Sequence, residues 1–336
     1  MRELEDGVAY FGLNAVARNT RSSHDTGGKQ CCRFAVWADV RPVFPTSEHT
    51  MELWSTFLAR TVKYSTIKAY LAALRDLHLE LGYPMPGFEE LKRLRRTLRG
   101  IKRLKGNPKC KKLGIGPKEL TRIFFQGKID LAKDNDLTCW TGCLLAFGGC
   151  FRKANITAKK QACFAQSGVM LRGGVKFIGK DQMEVAAGFS KTNQFAEREH
   201  KVLFNAVRYP AFCAVTLARR ALALNKLPWG LKAPVLSYRK SDGQHVALTH
   251  SVFDHWLTDK LMAAGLQPEL YSGHSFRRGA ATLAFAERMP RNLVKHWGDW
   301  VSSDAVDEYH EIIQEQRSAI PKLVVDSMEA AVDACC

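Results

Sequence analysis

Six residues carry most of the chemistry this chain could offer: Arg152, Lys191, His274, Arg277, Trp300 and Tyr309. His274 and Arg277 stand three apart in GHSFR, a spacing that puts both on one face of a helix. A guanidinium is a planar fork that stays charged and can bond two non-bridging oxygens, so two arginines converging on one point suit a phosphate. Tyr309 adds a phenol, and a phenol attacking a phosphodiester splits a difficult exchange into two transfers through a covalent intermediate. Singly, each residue has an ordinary structural explanation: a helix-end cation for Arg152, a turn lysine for Lys191, a helix N-terminus for His274, a core aromatic for Trp300, one of eight tyrosines for Tyr309. The set is harder to obtain from packing alone, since HxxR is followed by GDW and then by a tyrosine nine residues beyond the tryptophan.

The surrounding chain is strongly basic. Lys and Arg outnumber Asp and Glu by 50 to 33, a formal charge of +17 over 336 residues, which points to a polyanionic partner. Nucleic acid comes first and an acidic membrane surface second, and with the HxxR and GDW motifs the partner expected is double-stranded DNA. The most apolar stretch, Leu137 to Phe151, is too short and too rich in glycine to span a bilayer, so no membrane is expected. No charged-then-apolar leader opens the chain, and the 10 cysteines form neither paired CxxC motifs nor a Cys/His zinc spacing. The expectation is an intracellular protein with reduced thiols, nuclear if its source is eukaryotic, in which Cys139, Cys143 and Cys150 are small core residues. Neither a metal site nor a nucleotide-binding loop is read from the sequence.

Holding these residues in place takes two bodies at this length. Residues 1–44 mix Gly, Ser, Arg and Thr with little periodicity beyond one short helix and read as an irregular lead-in. Over 45–105 the apolar spacing predicts a helical domain: one helix opened by Thr46 and Ser47, a second capped by Ser65, and a third carrying Phe88, Leu91, Leu94, Leu98, Ile101 and Leu104. From Lys92 to Lys112 there are eleven Lys or Arg and no acid. The third helix thus has one face to pack and one to meet phosphates, with Lys92, Arg95, Arg96, Arg99, Lys102 and Arg103 as DNA-backbone contacts; a solvated face or a localisation signal is the alternative. Residues 106–117 (GNPKCKKLGIGP) form a linker. The second domain, 118–317, should hold a buried helix ending near Arg152 and a three-stranded meander over Val175 to Ile178, Gln182 to Phe189 and Glu199 to Phe204. Further helices are expected at Tyr209 to Asn225, at Thr249 to Gly265 and beyond. An apolar tail occupies 318–336. The fold class is mainly α with a small antiparallel β-sheet.

These residues resemble the tyrosine recombinases, or phage-type integrases. Gly148 to Ile156 (GGCFRKANI) is similar to that family's first-arginine box, Ser190-Lys191-Thr192 to its hairpin lysine, GHSFR to its second box, and Gly298-Asp299-Trp300 with Tyr309 to its last. Tyr64 to Pro84, followed by LRRTLRGIKR, is similar to the family's helical core-binding domain, with an overall look of the recombinases of eukaryotic DIRS, Ngaro and Crypton elements. The resemblance covers about residues 45 to 315 and is most specific in the C-terminal boxes. It implies metal-free, nucleotide-free strand cleavage by Tyr309 through a 3′-phosphotyrosyl link. In that scheme Arg152 and Arg277 hold the phosphate, His274 assists proton transfer, Lys191 protonates the leaving oxygen and Trp300 positions the phosphate. It also implies self-association as a tetramer on paired DNA sites. Two departures stand out: Asn155 where many members carry an acid, and Trp300 where many carry histidine. A type IB topoisomerase and a non-catalytic DNA-binding descendant of a recombinase are the competing readings.

Overall fold

The computed structural model describes residues 1–106, 112–159, 161, 164, 168–187 and 200–307, which fall into two compact units, Met1–Cys110 and Lys111–Cys336. Lys191, Tyr309 and the apolar tail lie outside the described residues.

The first unit is helical: α1 (Arg2–Asn14), α2 (Arg18–Trp37), α3 (Glu48–Leu58), α4 (Tyr64–Glu80) and α5 (Lys92–Lys105). The irregular lead-in expected over 1–44 is therefore corrected to two helices, the second of which packs along α4 and contributes Cys31 and Phe34 to the core. What looks like loop composition there is a contact requirement. A Cβ on Gly27 would lie 2.7 Å from the Ala73 Cβ, so the glycine lets the two helices approach, and His24 Nδ1 meets Asp76 Oδ2 at 2.8 Å beside it. Ser47 caps α3 by accepting from the Thr50 amide. α4 starts at Tyr64, one residue before the expected cap. α5 has no cap of its own; Glu48 Oε1 of α3 accepts from the amides of Arg93 and Leu94 at 2.9 and 3.0 Å. Its packed stripe is Leu94, Leu98 and Ile101. Leu104 is 91% exposed, so the stripe ends a turn earlier than expected.

The second unit is built on α7 (Asp134–Gly148), buried without interruption from Leu137 to Ala146. Around it stand α6 (Pro117–Gln126), α8 (Lys153–Ile156), a sheet of β1 (Val175–Ile178), β2 (Gln182–Ala187) and β3 (His200–Asn205), α9 (Ala214–Leu224), a hairpin of β4 (Ser237–Arg239) and β5 (His245–Ala247), α10 (His250–Ala263), α11 (Ser275–Ala286), α12 (Arg291–Trp297) and α13 (Ser303–Asp307). The sheet is an antiparallel meander in the order β1-β2-β3, with Val185 paired to both Val175 and Val202. The β4–β5 hairpin is an addition to the sequence reading; its signal was the Asp242-Gly243 turn pair, with Gly243 at φ 84°. A large core gathers around α7. A smaller one joins Cys150, Ala280, Ala281, Phe285, Val294, Trp300 and Val306, tying the end of α7 to α11, α12 and α13. No helix among the described residues is long and apolar enough to cross a membrane.

Candidate active site

Two helix ends of the same design frame the site. α7 finishes at Gly149-Cys150-Phe151 and α12 at Gly298-Asp299-Trp300. In each turn the middle residue is left-handed, at φ 51°, and the aromatic residue's amide reaches five residues back, Phe151 to the Ala146 carbonyl at 2.9 Å and Trp300 to the Lys295 carbonyl at 3.1 Å. This six-to-one bond is the Schellman closure of a helix C-terminus. The aromatic ring then folds back on the glycine: a Cβ on Gly149 would lie 2.2 Å from the Phe151 ring, and one on Gly298 1.8 Å from the Trp300 ring. The GDW motif is thus a cap whose glycine is the floor for the tryptophan. Left-handed non-glycine residues cost about 1–2 kcal/mol each, which the small core around both turns offsets.

Arg277, on the first turn of α11, reaches between the two caps. It is 2% exposed, its Nη1 donates to the Cys150 carbonyl at 2.6 Å, and its guanidinium carbon lies 3.7 Å from the Trp300 ring centroid. Trp300 is 5% exposed and is therefore both a core aromatic and the stacking partner of the arginine. A buried cation stacked on an indole is worth about 2 kcal/mol and is held in one orientation.

Arg152 lies four residues past the end of α7, not on it; it is the residue before α8 and is half-buried. Its amide donates to Asn155 Oδ1 at 3.1 Å, while Asn155 Nδ2 donates to the Gly168 carbonyl at 3.0 Å. Asn155 is buried. A carboxylate could accept the first bond but could not donate the second, so both ends of the Asn155 amide are used in this turn. Lys153 turns away to pair with Asp254 at 2.6 Å.

His274 is the residue before α11, with its amide on Ser272 Oγ at 3.3 Å. Although the residue as a whole stays exposed, crowding by protein around its ring, and then the charges of Arg277, Arg152, Lys153 and Arg278, hold its pKa below the ordinary histidine value. Arg277 and Arg152 thus lie within electrostatic reach of the ring at the start of α11, a helix end where an anion is favoured. The same arginines bracket Cys150, but burial dominates and pushes that thiol up to about 12, an inert core cysteine.

Of the six sequence candidates, Arg152, His274, Arg277 and Trp300 come together; Lys191 and Tyr309 lie outside the described residues. Lys191 belongs to the segment between β2 and β3, and Tyr309 follows α13 by two residues. Val306 seats α13 in the small core, and Arg291 of α12 pairs with Asp307 at its end. In the first unit, Lys92, Arg95, Arg96, Arg99, Lys102 and Arg103 are all exposed along α5, with Arg95 also meeting Glu89 at 2.7 Å. Sequence reasoning missed His200, the first residue of β3, whose Nε2 donates to the Trp297 carbonyl at 3.0 Å. Its only signal was its place just after the lysine turn.

Neither a family model nor a curated protein matches the chain. Solved structures do. The XerH site-specific recombinase bound to difH substrate superposes with a TM-score of 0.59 at 14% identity, covering 89% of this chain and 78% of that one. The chain has the tyrosine-recombinase fold. The Tn1549 transposon integrase in complex with transposon right end DNA gives 0.56 at 11% identity, covering 92% and 95%. A lambda integrase dimer bound to a COC′ core site gives 0.55 at 11%, covering 92% and 94%. The fold thus agrees with the mainly α reading with a small antiparallel sheet.

Proposed function

We propose that this chain is a site-specific recombinase or integrase that cuts and rejoins double-stranded DNA through a 3′-phosphotyrosyl link. The observation that carries the reading is Arg277, buried between the two caps, bonded to the Cys150 carbonyl and stacked on Trp300, with Arg152 and His274 nearby, within a recombinase fold. A cluster of cations held in place at a helix start is suited to an anion whose charge grows during reaction.

In this mechanism the Tyr309 oxygen attacks the scissile phosphorus, forming the tyrosyl O–P bond as the bond to the 5′-oxygen breaks. Arg152 and Arg277 hold the non-bridging oxygens as charge builds. A His274 with a lowered pKa is neutral at pH 7 and so is able to accept the tyrosine proton. Lys191 supplies a proton to the departing 5′-oxygen. Attack by a 5′-hydroxyl from another duplex reverses these steps and rejoins the strands. The exposed basic face of α5 would hold the DNA backbone without reading its sequence, and four protomers on paired sites would complete an exchange.

The test is covalent trapping. Wild-type protein incubated with nicked genomic fragments should yield SDS-resistant DNA adducts, and Tyr309→Phe should lose them while keeping DNA affinity. DNA binding without any adduct would replace the enzyme with the binding-protein reading, and plasmid relaxation without joining of two sites would favour a topoisomerase. An adduct from Tyr309→Phe would reassign the nucleophile. Tyr271 is a poor substitute, because burial and then Glu119 raise its pKa.

A further inference from the structure

His200 touches both helix caps. Its Nε2–H donates at 3.0 Å to the carbonyl of Trp297, the last residue of α12. The neighbouring amides of Gly298, Asp299 and Trp300 go instead to the carbonyls of Val294, His296 and Lys295. Its ring meets the ring of Phe151 edge-on, with centroids 6.0 Å apart and planes at 79°. Phe151 belongs to the turn that delivers Arg152, and Trp297 to the turn that delivers Trp300. His200 itself opens β3, paired with Ala187 across the sheet, so it is the point where the strand leaving the Lys191 segment is fastened to the site. It also lies within electrostatic reach of Asp299 and Arg277.

We infer that His200 is a positioning residue for strand cleavage: one hydrogen bond and one ring contact clamp the Arg152 turn, the Trp300 turn and the strand after Lys191 into register. The inference rests on the recombinase reading for its functional half only. It asks above all for a donor at the Nε2 position, with the ring edge against Phe151 as a lesser support, and not for proton transfer. Nothing in it requires His200 to touch DNA. Misplacing a group by about 1 Å can cost a hundredfold in rate, so a clamp on two phosphate-holding turns is a sensitive point.

Two substitutions separate the bond from the packing. His200→Phe keeps a ring against Phe151 but removes the donor; His200→Gln removes the ring but retains an N–H able to reach a carbonyl. Amide hydrogen exchange at Gly298, Asp299 and Trp300 tests the clamp without any reaction. Faster exchange in His200→Phe, with near wild-type exchange in His200→Gln, is expected. Adduct formation should fall about ten- to a hundredfold in His200→Phe, recover to within about threefold in His200→Gln, and leave DNA affinity unchanged in both. Unchanged exchange in His200→Phe would overturn the clamp. Altered exchange with wild-type cleavage would overturn its role in positioning. A wild-type protein that forms no adduct would overturn the recombinase reading instead, and the exchange experiment would still decide the clamp.

Discussion

Replacing Gly298 by alanine tests the whole construction of the site, because the backbone there, at φ −92° and ψ 5°, suits alanine as well as glycine. Only the ring above it objects. The new methyl would lie 1.8, 2.3 and 2.4 Å from three atoms of the Trp300 six-membered ring, distances at which something has to move. The ring cannot slide freely, since it is packed among Phe285, Val294 and Val306 and stacked on Arg277. Expelling it would forfeit about 4–6 kcal/mol, from 150–250 Å² of aromatic surface at 25 cal/mol per Å². Shifting it within a well-packed core costs about 1–3 kcal/mol, so the shift wins. For a unit of this size each kcal/mol lowers Tm by roughly 2–4 °C. Displacing the indole also loosens Arg277. Losing a contact worth about 2 kcal/mol corresponds to roughly a thirtyfold fall in cleavage. Thermal unfolding, followed by adduct formation on a nicked duplex below the melting range, would read both effects. A Gly298→Ala protein that melts with the wild type and cleaves at its rate would refute the seating of Trp300 on Gly298 and the role assigned to it.

Neutralising Arg95, Arg96, Arg99, Lys102 and Arg103 together should weaken binding alike on all DNA sequences and reduce the slope of log K against log salt by as much as about 4.5, since each phosphate contact contributes about 0.9. An unchanged slope with normal circular dichroism would return that face of α5 to solvent. Arg93 is the internal contrast: Glu52 holds its guanidinium and α5 against α3, so Arg93→Gln should lower the stability of the first unit more than it lowers the salt slope. The second unit should lose stability in mild acid. Burial holds the pKa values of His200, His250 and His274 below the ordinary range, so the unfolded chain binds more protons below about pH 6.5. Stability present above that pH is lost as pH falls towards 5, before carboxylates titrate. A urea midpoint that holds or rises from pH 7 to 5.5 would contradict this, and His200→Gln should flatten the decline.

HxxR, GDW and the basic run need only local spacing to be seen, and Arg152, His274, Arg277 and Trp300, picked out by that spacing, lie near one another in the second unit. α2 was missed because Gly27 and Gly28, serine and arginine are loop composition until α4 lies across them; the reason for the glycine is a partner 46 residues away, at Ala73. The packed end of α5 was overextended at Leu104 because periodicity marks a face and not where its neighbour stops. His200 was invisible for the same cause. A histidine opening a strand has no pattern, and its meaning comes from a carbonyl 97 residues downstream.

Composition and spacing alone thus determined a basic, mainly helical chain carrying the HxxR and GDW motifs, because charge, helical periodicity and residue chemistry are properties of neighbours along the chain. Only the tertiary structure decided that Gly149 and Gly298 are matching floors for Phe151 and Trp300, that Asn155 satisfies the turn of Arg152, and that Arg277 is buried between the two caps. Each of those depends on which surfaces meet at van der Waals distance, and that is settled when the end of α7 closes with α11, α12 and α13 around one small core.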